Sequence, residues 1–244
     1  MGERIEVHGI NAIGHRLYER NVGPVKLSSR DDVRAILHEA VDAEGGSRFS
    51  PAFLLAEWEQ IVDAWQINSW EAYRDVARLG RKTRLSEAQR TALWAIFEHA
   101  RATLAARELL TWPALFQRLA VALAAVSRPA FDAVVVDEAQ DVGIAQLRFL
   151  AAMTGGRENA LFFAGDLGQR IFQQPFSWKA LGVDVRGRSS TLKINYRTSH
   201  QIRSQADRLL DPEVTDVDGN AERRDGTISC LLYTSDAADD LTRV

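Results

Sequence analysis

The spacing of apolar residues changes character twice along the chain. Arg4–Val7 alternates as a short strand does, and residues 10–19 then place Ile10, Ile13, Gly14 and Leu17 on one helical face. From about residue 21 the period is helical as far as residue 123. Ser29, with Asp32 three places on, opens a helix striped by Val33, Ile36, Leu37, Ala40 and Val41, which Gly45-Gly46 breaks. Ser50-Pro51 starts another, turning Leu54, Leu55, Trp58, Ile61 and Val62 inward. Ser69 opens a shorter one through Trp70, Tyr73 and Ala77 to Gly80. Ser86 and Gln89 form a capping box ahead of Leu93, Ile96, Phe97, Ala100 and Leu104. Thr111 and Pro113 begin a last helix through Phe116, Leu119 and Leu123. Trp58, Trp65, Trp70, Trp94 and Trp112 share this block at helical spacing with Leu and Ile, which predicts core packing rather than a binding platform.

After residue 127 strands and helices alternate. Phe131–Val136, Ala160–Ala164 and Thr191–Ile194 read as strands, with a helix over Ile144–Met153 and a turn at Gly155-Gly156. A second helix follows Ser199, with Ile202, Ala206, Leu209 and Leu210 on one face. Alternation with short connections predicts an α/β fold with a parallel sheet flanked by helices. The unbroken β-branched run into Val136 predicts a strand buried on both faces. Residues 211–229 are polar, with an Asp218-Gly219 turn, and read as a hairpin or as disordered chain.

A length of 244 residues allows one large domain or two small ones. A net charge of −3 does not advertise nucleic acid, although binding needs only a local basic groove. No apolar run approaches the roughly 20 residues of a membrane span, and no signal-peptide pattern opens the chain. The single cysteine, Cys230, leaves no disulfide framework or cysteine metal cluster, and a cytoplasmic setting is expected. Residues 230–244, with Asp236, Asp239 and Asp240 against Arg243, resemble a translated adapter from sequencing-library preparation and are expected to lie outside the fold.

The candidate chemistry lies at strand ends. Phe131–Val136 runs directly into Asp137-Glu138-Ala139-Gln140-Asp141. In open α/β sheets ligands bind at that edge, and two acids there suit phosphoryl chemistry. Asp137 can hold hydrated Mg²⁺ while Glu138 orients or deprotonates a water; the plainer reading is a solvated acidic turn. The second strand ends in Gly165-Asp166, with Gln169 four residues past the glycine, where an amide can meet a phosphate or its attacking water. The third ends in Asn195-Tyr196-Arg197, offering a ring for a nucleobase and a fixed positive charge for a phosphoryl group.

The order of these three clusters resembles the UvrD/Rep (PcrA-like) superfamily 1 DNA helicases. That resemblance implies a RecA-like, P-loop NTPase type of parallel sheet with a large all-helical insertion. Residues 1–20 and 115–190 would form a partial first RecA-like lobe, 21–114 the helical insertion, and 191–229 the junction and start of a second lobe. It implies ATP and Mg²⁺ as cofactors, single-stranded or partially duplex DNA as partner, and 3′→5′ translocation. Asp137 would then ligate Mg²⁺, Glu138 act as base, Gln169 couple phosphate state to DNA, Tyr196 stack on adenine and Arg197 reach the γ-phosphate. Asp141 would be a structural partner. Phe172 matches the place of a DNA-touching aromatic and Trp178 that of a base-stacking tryptophan. Arg186, Arg188 and Lys193 could meet phosphates. Gly9-Ile10-Asn11-Ala12 keeps only the apolar second position of the family's Thr-Phe-His-Ser element. No Gly-x-x-x-x-Gly-Lys-Ser/Thr run occurs, so the chain is expected to be a helicase fragment, inactive by itself. Two other readings stay open: another P-loop nucleic-acid motor, and a non-catalytic helicase-like DNA-binding module.

Overall fold

The computed structural model describes residues 5–76, 84–129, 131–165, 176–184, 188, 190, 192, 194–208, 213–215, 221–223 and 228–231. They fall into two compact units. The first holds the described residues through Ala164 together with Phe176, and the second Gly165, Ser177 and those beyond.

In the first unit the helices begin where the local chemistry places them. Helix α1 spans Ile10–Asn21, α2 Arg30–Ala43, α3 Pro51–Glu57, α4 Trp70–Asp75, α5 Glu87–Ala106 and α6 Trp112–Ala124. The Ser29 hydroxyl accepts from the Asp32 N–H at 3.1 Å while Asp32 Oδ2 accepts from the Ser29 N–H at 2.8 Å. Ser86 and Gln89 repeat the exchange, and Ser50, Ser69 and Thr111 each accept from the third following N–H. Gly45 and Gly46, at φ +79° and +105°, follow the end of α2.

Helices α2–α5 bury a core of their own. Tyr73, Leu93 and Phe97 are fully buried, with the Tyr73 ring 5.6 Å from Trp94 and 5.7 Å from Phe97. Trp58 and Trp94 belong to that core, and Trp65 and Trp70 pack against it. Trp112, half-buried, lies 5.9 Å from the Phe116 ring. The expected core packing therefore holds for Trp58, Trp65, Trp70 and Trp94, while Trp112 lies outside this cluster.

Several expectations are corrected. Residues 5–9 form no strand, and Ile5 and Val7 are exposed, because no described segment offers them a ladder. Helix α4 stops at Asp75, where Val76 turns extended, and Ala77–Gly80 lie outside the described residues. The second helix of the block does not continue as one α-helix: Trp58–Asp63 winds as a π turn. The β-ladder Lys26–Leu27 (β1) with Leu109–Leu110 (β2), parallel, was not apparent in the sequence. It joins the two ends of the helical block, and the Ser28 N–H adds a 2.9 Å bond to the Leu110 carbonyl.

Beside that clamp, the buried carboxylate of Asp63 accepts from Thr111 Oγ1 at 2.6 Å and Gln66 Nε2 at 2.8 Å. The Thr111 hydroxyl thus links Asp63 to the cap of α6. Burial pushes the Asp63 carboxyl up to about 6 against these two bonds.

The rest of the first unit is an α/β layer. Strand β3 (Val134–Val136) pairs in parallel with β4 (Leu161–Phe163), Val135 opposite Phe162, and α7 (Ile144–Met153) connects them. Burial on both faces is not observed: Val135 is 73% and Phe162 63% exposed, so only one face of this pair is covered. Helix α6 packs between α1 and α7. Gly14 permits the α1 approach, since a Cβ there would overlap the Phe116 ring. The molecule is mixed α/β and mostly helical, with small parallel sheets.

In the second unit Lys179–Leu181 forms a 3₁₀ turn. Strand β5 (Ile194–Ser199) is followed by α8 (His200–Asp207), β6 (Glu213–Thr215), β7 (Ala221–Arg223) and β8 (Ile228–Leu231). β6 and β7 are antiparallel, while β5 pairs in parallel with β8. β8 takes in Cys230 and Leu231, the first residues of the adapter-like stretch. Ile202 is 58% exposed, contrary to an inward face for α8; Leu209 and Leu210 lie outside the described residues.

Two measurements test these contacts. Gly14→Val is expected to lose about 1–3 kcal/mol in urea unfolding through overpacking against Phe116. The native carboxyl of Asp63 binds its proton more tightly than the unfolded one, so its contribution to stability is complete below about pH 4 and lost as pH rises past about 6. Unfolding midpoints at pH 4 to 8 should fall across that window in the native chain, and fall less in Asp63→Asn.

Candidate functional site

Three β-branched residues carry β3 to its C-terminal edge, where the chain changes direction within two residues. The ladder closes with the Ala164 N–H donating to the Val136 carbonyl at 2.8 Å and the Ala139 N–H to the Ala164 carbonyl at 2.9 Å. Between those bonds lie Asp137 and Glu138, both exposed. Asp137 Oδ1 accepts from the Glu138 N–H at 2.9 Å. Glu138 adopts φ 51°, ψ 43°, a left-handed conformation that costs a residue with a side chain about 1–2 kcal/mol. A 3₁₀ turn over Ala139–Asp141 follows, and Gly143 leads into α7 with its N–H bonded to Gln146 Oε1 at 2.8 Å.

The left-handed step lets the chain fold back on itself. Gln140, 6% exposed, donates from Nε2 to Glu138 Oε2 at 2.6 Å. This brace was not anticipated from sequence; the available signal was an amide two residues past the acid and flanked by a buried alanine. Asp137 Oδ2 and Glu138 Oε1 have no hydrogen-bond partner among the described residues. The pair therefore presents two carboxylate oxygens to solvent from a hydrogen-bonded turn. Asp137 is the candidate cation ligand. No cluster of three or more His, Cys, Asp or Glu able to hold a metal occurs among the described residues.

The other candidates belong to the second unit or fall outside the description. Gln169 and Phe172 lie outside the described residues. Trp178 is half-buried, and its carbonyl accepts from the Leu181 and Val183 N–H groups, each at 3.0 Å. Tyr196 is 71% exposed. The backbone of Arg197 is in β5; its side chain is outside the description. The expectation that Asn195-Tyr196-Arg197 follows the end of a strand is corrected, because β8 provides partners as far as Leu231 and the strand continues to Ser199. The register shifts between Asn195 and Ser199, so Tyr196 and Arg197 occupy an irregular stretch.

The family model of the UvrD/REP helicase N-terminal domain matches residues 26–177 of the 244. The chain belongs to that family. The match runs from β1 through the helical block, the acid pair and β4, and ends before Trp178, Tyr196 and Arg197. UvrD/REP membership implies a RecA-like fold and a superfamily 1 DNA helicase context. No curated protein matches the chain. No helix of the described residues is long and apolar enough to cross a membrane.

The strain at residue 138 gives a prediction. Glu138→Gly removes the side chain from a left-handed position and is expected to change stability by no more than about 1 kcal/mol, toward gain. Gln140→Leu should instead free the Glu138 side chain, read as increased side-chain motion by ¹³C relaxation.

Proposed function

We propose that this chain is the acid-pair portion of an ATP-dependent DNA helicase that translocates 3′→5′ on single-stranded DNA, with Glu138 as general base and Asp137 as magnesium ligand. The observation that carries this reading is the braced, solvent-facing Asp137-Glu138 turn at the C-terminal edge of a parallel strand pair, in a chain of the UvrD/REP family.

The residues present fit a magnesium ion. They offer hard oxygen donors open to solvent, and Mg²⁺ keeps most of its waters and asks for one or two carboxylates. When bound, the ion neutralises charge on phosphate oxygens. Asp137 would hold it through Oδ2, since Oδ1 is engaged by the Glu138 N–H. Glu138 Oε1 would accept a proton from a water while Gln140 keeps Oε2 in place. A triphosphate cradle does not fit, because the sequence has no glycine-rich phosphate loop with its lysine. Gln169, Tyr196 and Arg197 are assigned to the nucleotide side of this reading, and Phe172 and Trp178 to the DNA side.

A second reading is a non-catalytic module that binds DNA. Single-stranded-DNA-stimulated ATP hydrolysis separates the two. In a protein that joins this chain to a phosphate loop, Glu138→Gln should lower turnover by about 10²–10⁴-fold with DNA binding retained. Stimulation by RNA and not DNA would point to another nucleic-acid motor. The 244-residue chain alone is expected to hydrolyse no ATP, and turnover that disappears in Glu138→Gln would overturn that expectation.

A further inference from the structure

A cavity of about 490 Å³ opens in the first unit between the C-terminal parts of α1 and α6. Its volume falls in the range of small-molecule sites. Phe131 contributes to its wall and enters β3 from the end opposite Asp137 and Glu138, so this is not the acid-pair site.

The lining is amphipathic. Leu17 and Leu123, both buried, supply apolar wall, and Arg16, Arg20 and Arg128 line it as well. Arg16 and Arg20 are one turn apart on α1 and share a face. Among the described residues Glu6 is the only carboxylate in the lining, and it is already engaged by Arg16 and His8. Arg20 and Arg128 have no hydrogen-bond or ion-pair partner among the described residues. Helix α1 accounts for part of this, because a cation in the last turn complements the helix dipole. That explains Arg20 alone. It does not explain a second unpaired guanidinium arriving from the segment after α6, or the concave space between them.

Two arginines without an anionic partner on the wall of one cavity repel each other, and a multiply charged oxyanion relieves that repulsion. Guanidinium forks match phosphate oxygens in geometry as well as charge. We propose that this cavity is a phosphate site, taking the phosphoryl group of a molecule of nucleotide size through Arg20 and Arg128. The apolar wall would cover the body of the ligand. The same chemistry could be offered by a free phosphorylated molecule or by a phosphodiester strand, and the probes separate them.

The full chain is titrated calorimetrically with inorganic pyrophosphate, with AMP and with a short oligothymidylate, alongside Arg20→Glu, Arg128→Glu and the distant Arg34→Glu. Arg20, Arg128 and Arg34 are exposed, so the reversals leave the core intact, which circular dichroism checks. Saturable binding of pyrophosphate or AMP, weakened about tenfold or more by each cavity variant and unchanged by Arg34→Glu, is the expected result. Binding of the oligonucleotide alone, with the same dependence on Arg20 and Arg128, assigns the phosphate to a nucleic-acid strand. Absence of binding at millimolar concentration, or equal weakening by all three variants, overturns the proposal. No acid-pair residue is altered, so the outcome is independent of the helicase reading.

Discussion

Phe116 and Phe149 meet with ring centroids 5.2 Å apart in the α6–α7 interface, and the position of the acid pair depends on that contact. Strand β3 has only three residues and one exposed face, too little to hold the acidic turn in place. Helix α7 begins three residues after Asp141, and Leu147 and Phe149 are fully buried. Seating α7 against α6 therefore anchors the far end of the turn, while the bond from the Ala164 N–H to the Val136 carbonyl anchors the near end. Glu138 has to cross the space between two fixed points, and the left-handed backbone is how it does so. The cost of that conformation is local.

The parts of this architecture that were legible in the sequence are those whose causes are local. Ser29, Ser50, Ser69, Ser86 and Thr111 cap helices within three residues of themselves, so their spacing to the next apolar stripe already announces the element. The acid pair was legible for a similar reason: an apolar run that stops dead at two carboxylates has to leave the core there. Contacts between distant residues left no such mark. Lys26 and Leu109 pair across more than eighty residues, and neither dipeptide looks like a strand. The extent of β5 depends on β8, and the exposure of Val135 depends on what lies over the sheet. Gln140 was missed because its role exists only once residue 138 has turned left-handed.

The seam around Asp63 shows polar groups and packing pulling in opposite directions. Two hydrogen bonds favour the carboxylate, yet burial outweighs them, leaving an acid that gives up its proton only near pH 6. The π turn that carries Asp63 widens the helix just where the block meets α6, and it brings the carboxylate within reach of the Thr111 cap. A continuous α-helix would have presented a different face at that point. At this junction a bond between a cap and a carboxylate joins the apolar contacts in tying the two segments together.

The clamp formed by Lys26–Leu27 and Leu109–Leu110 has a consequence for how such a molecule changes over time. An excursion that departs and returns at one doorway places no demand on the distance between its ends. The helical block is in that sense a tenant of the scaffold, exchangeable for a segment whose two ends fit the same four-residue doorway and which offers the Thr111 hydroxyl an acceptor.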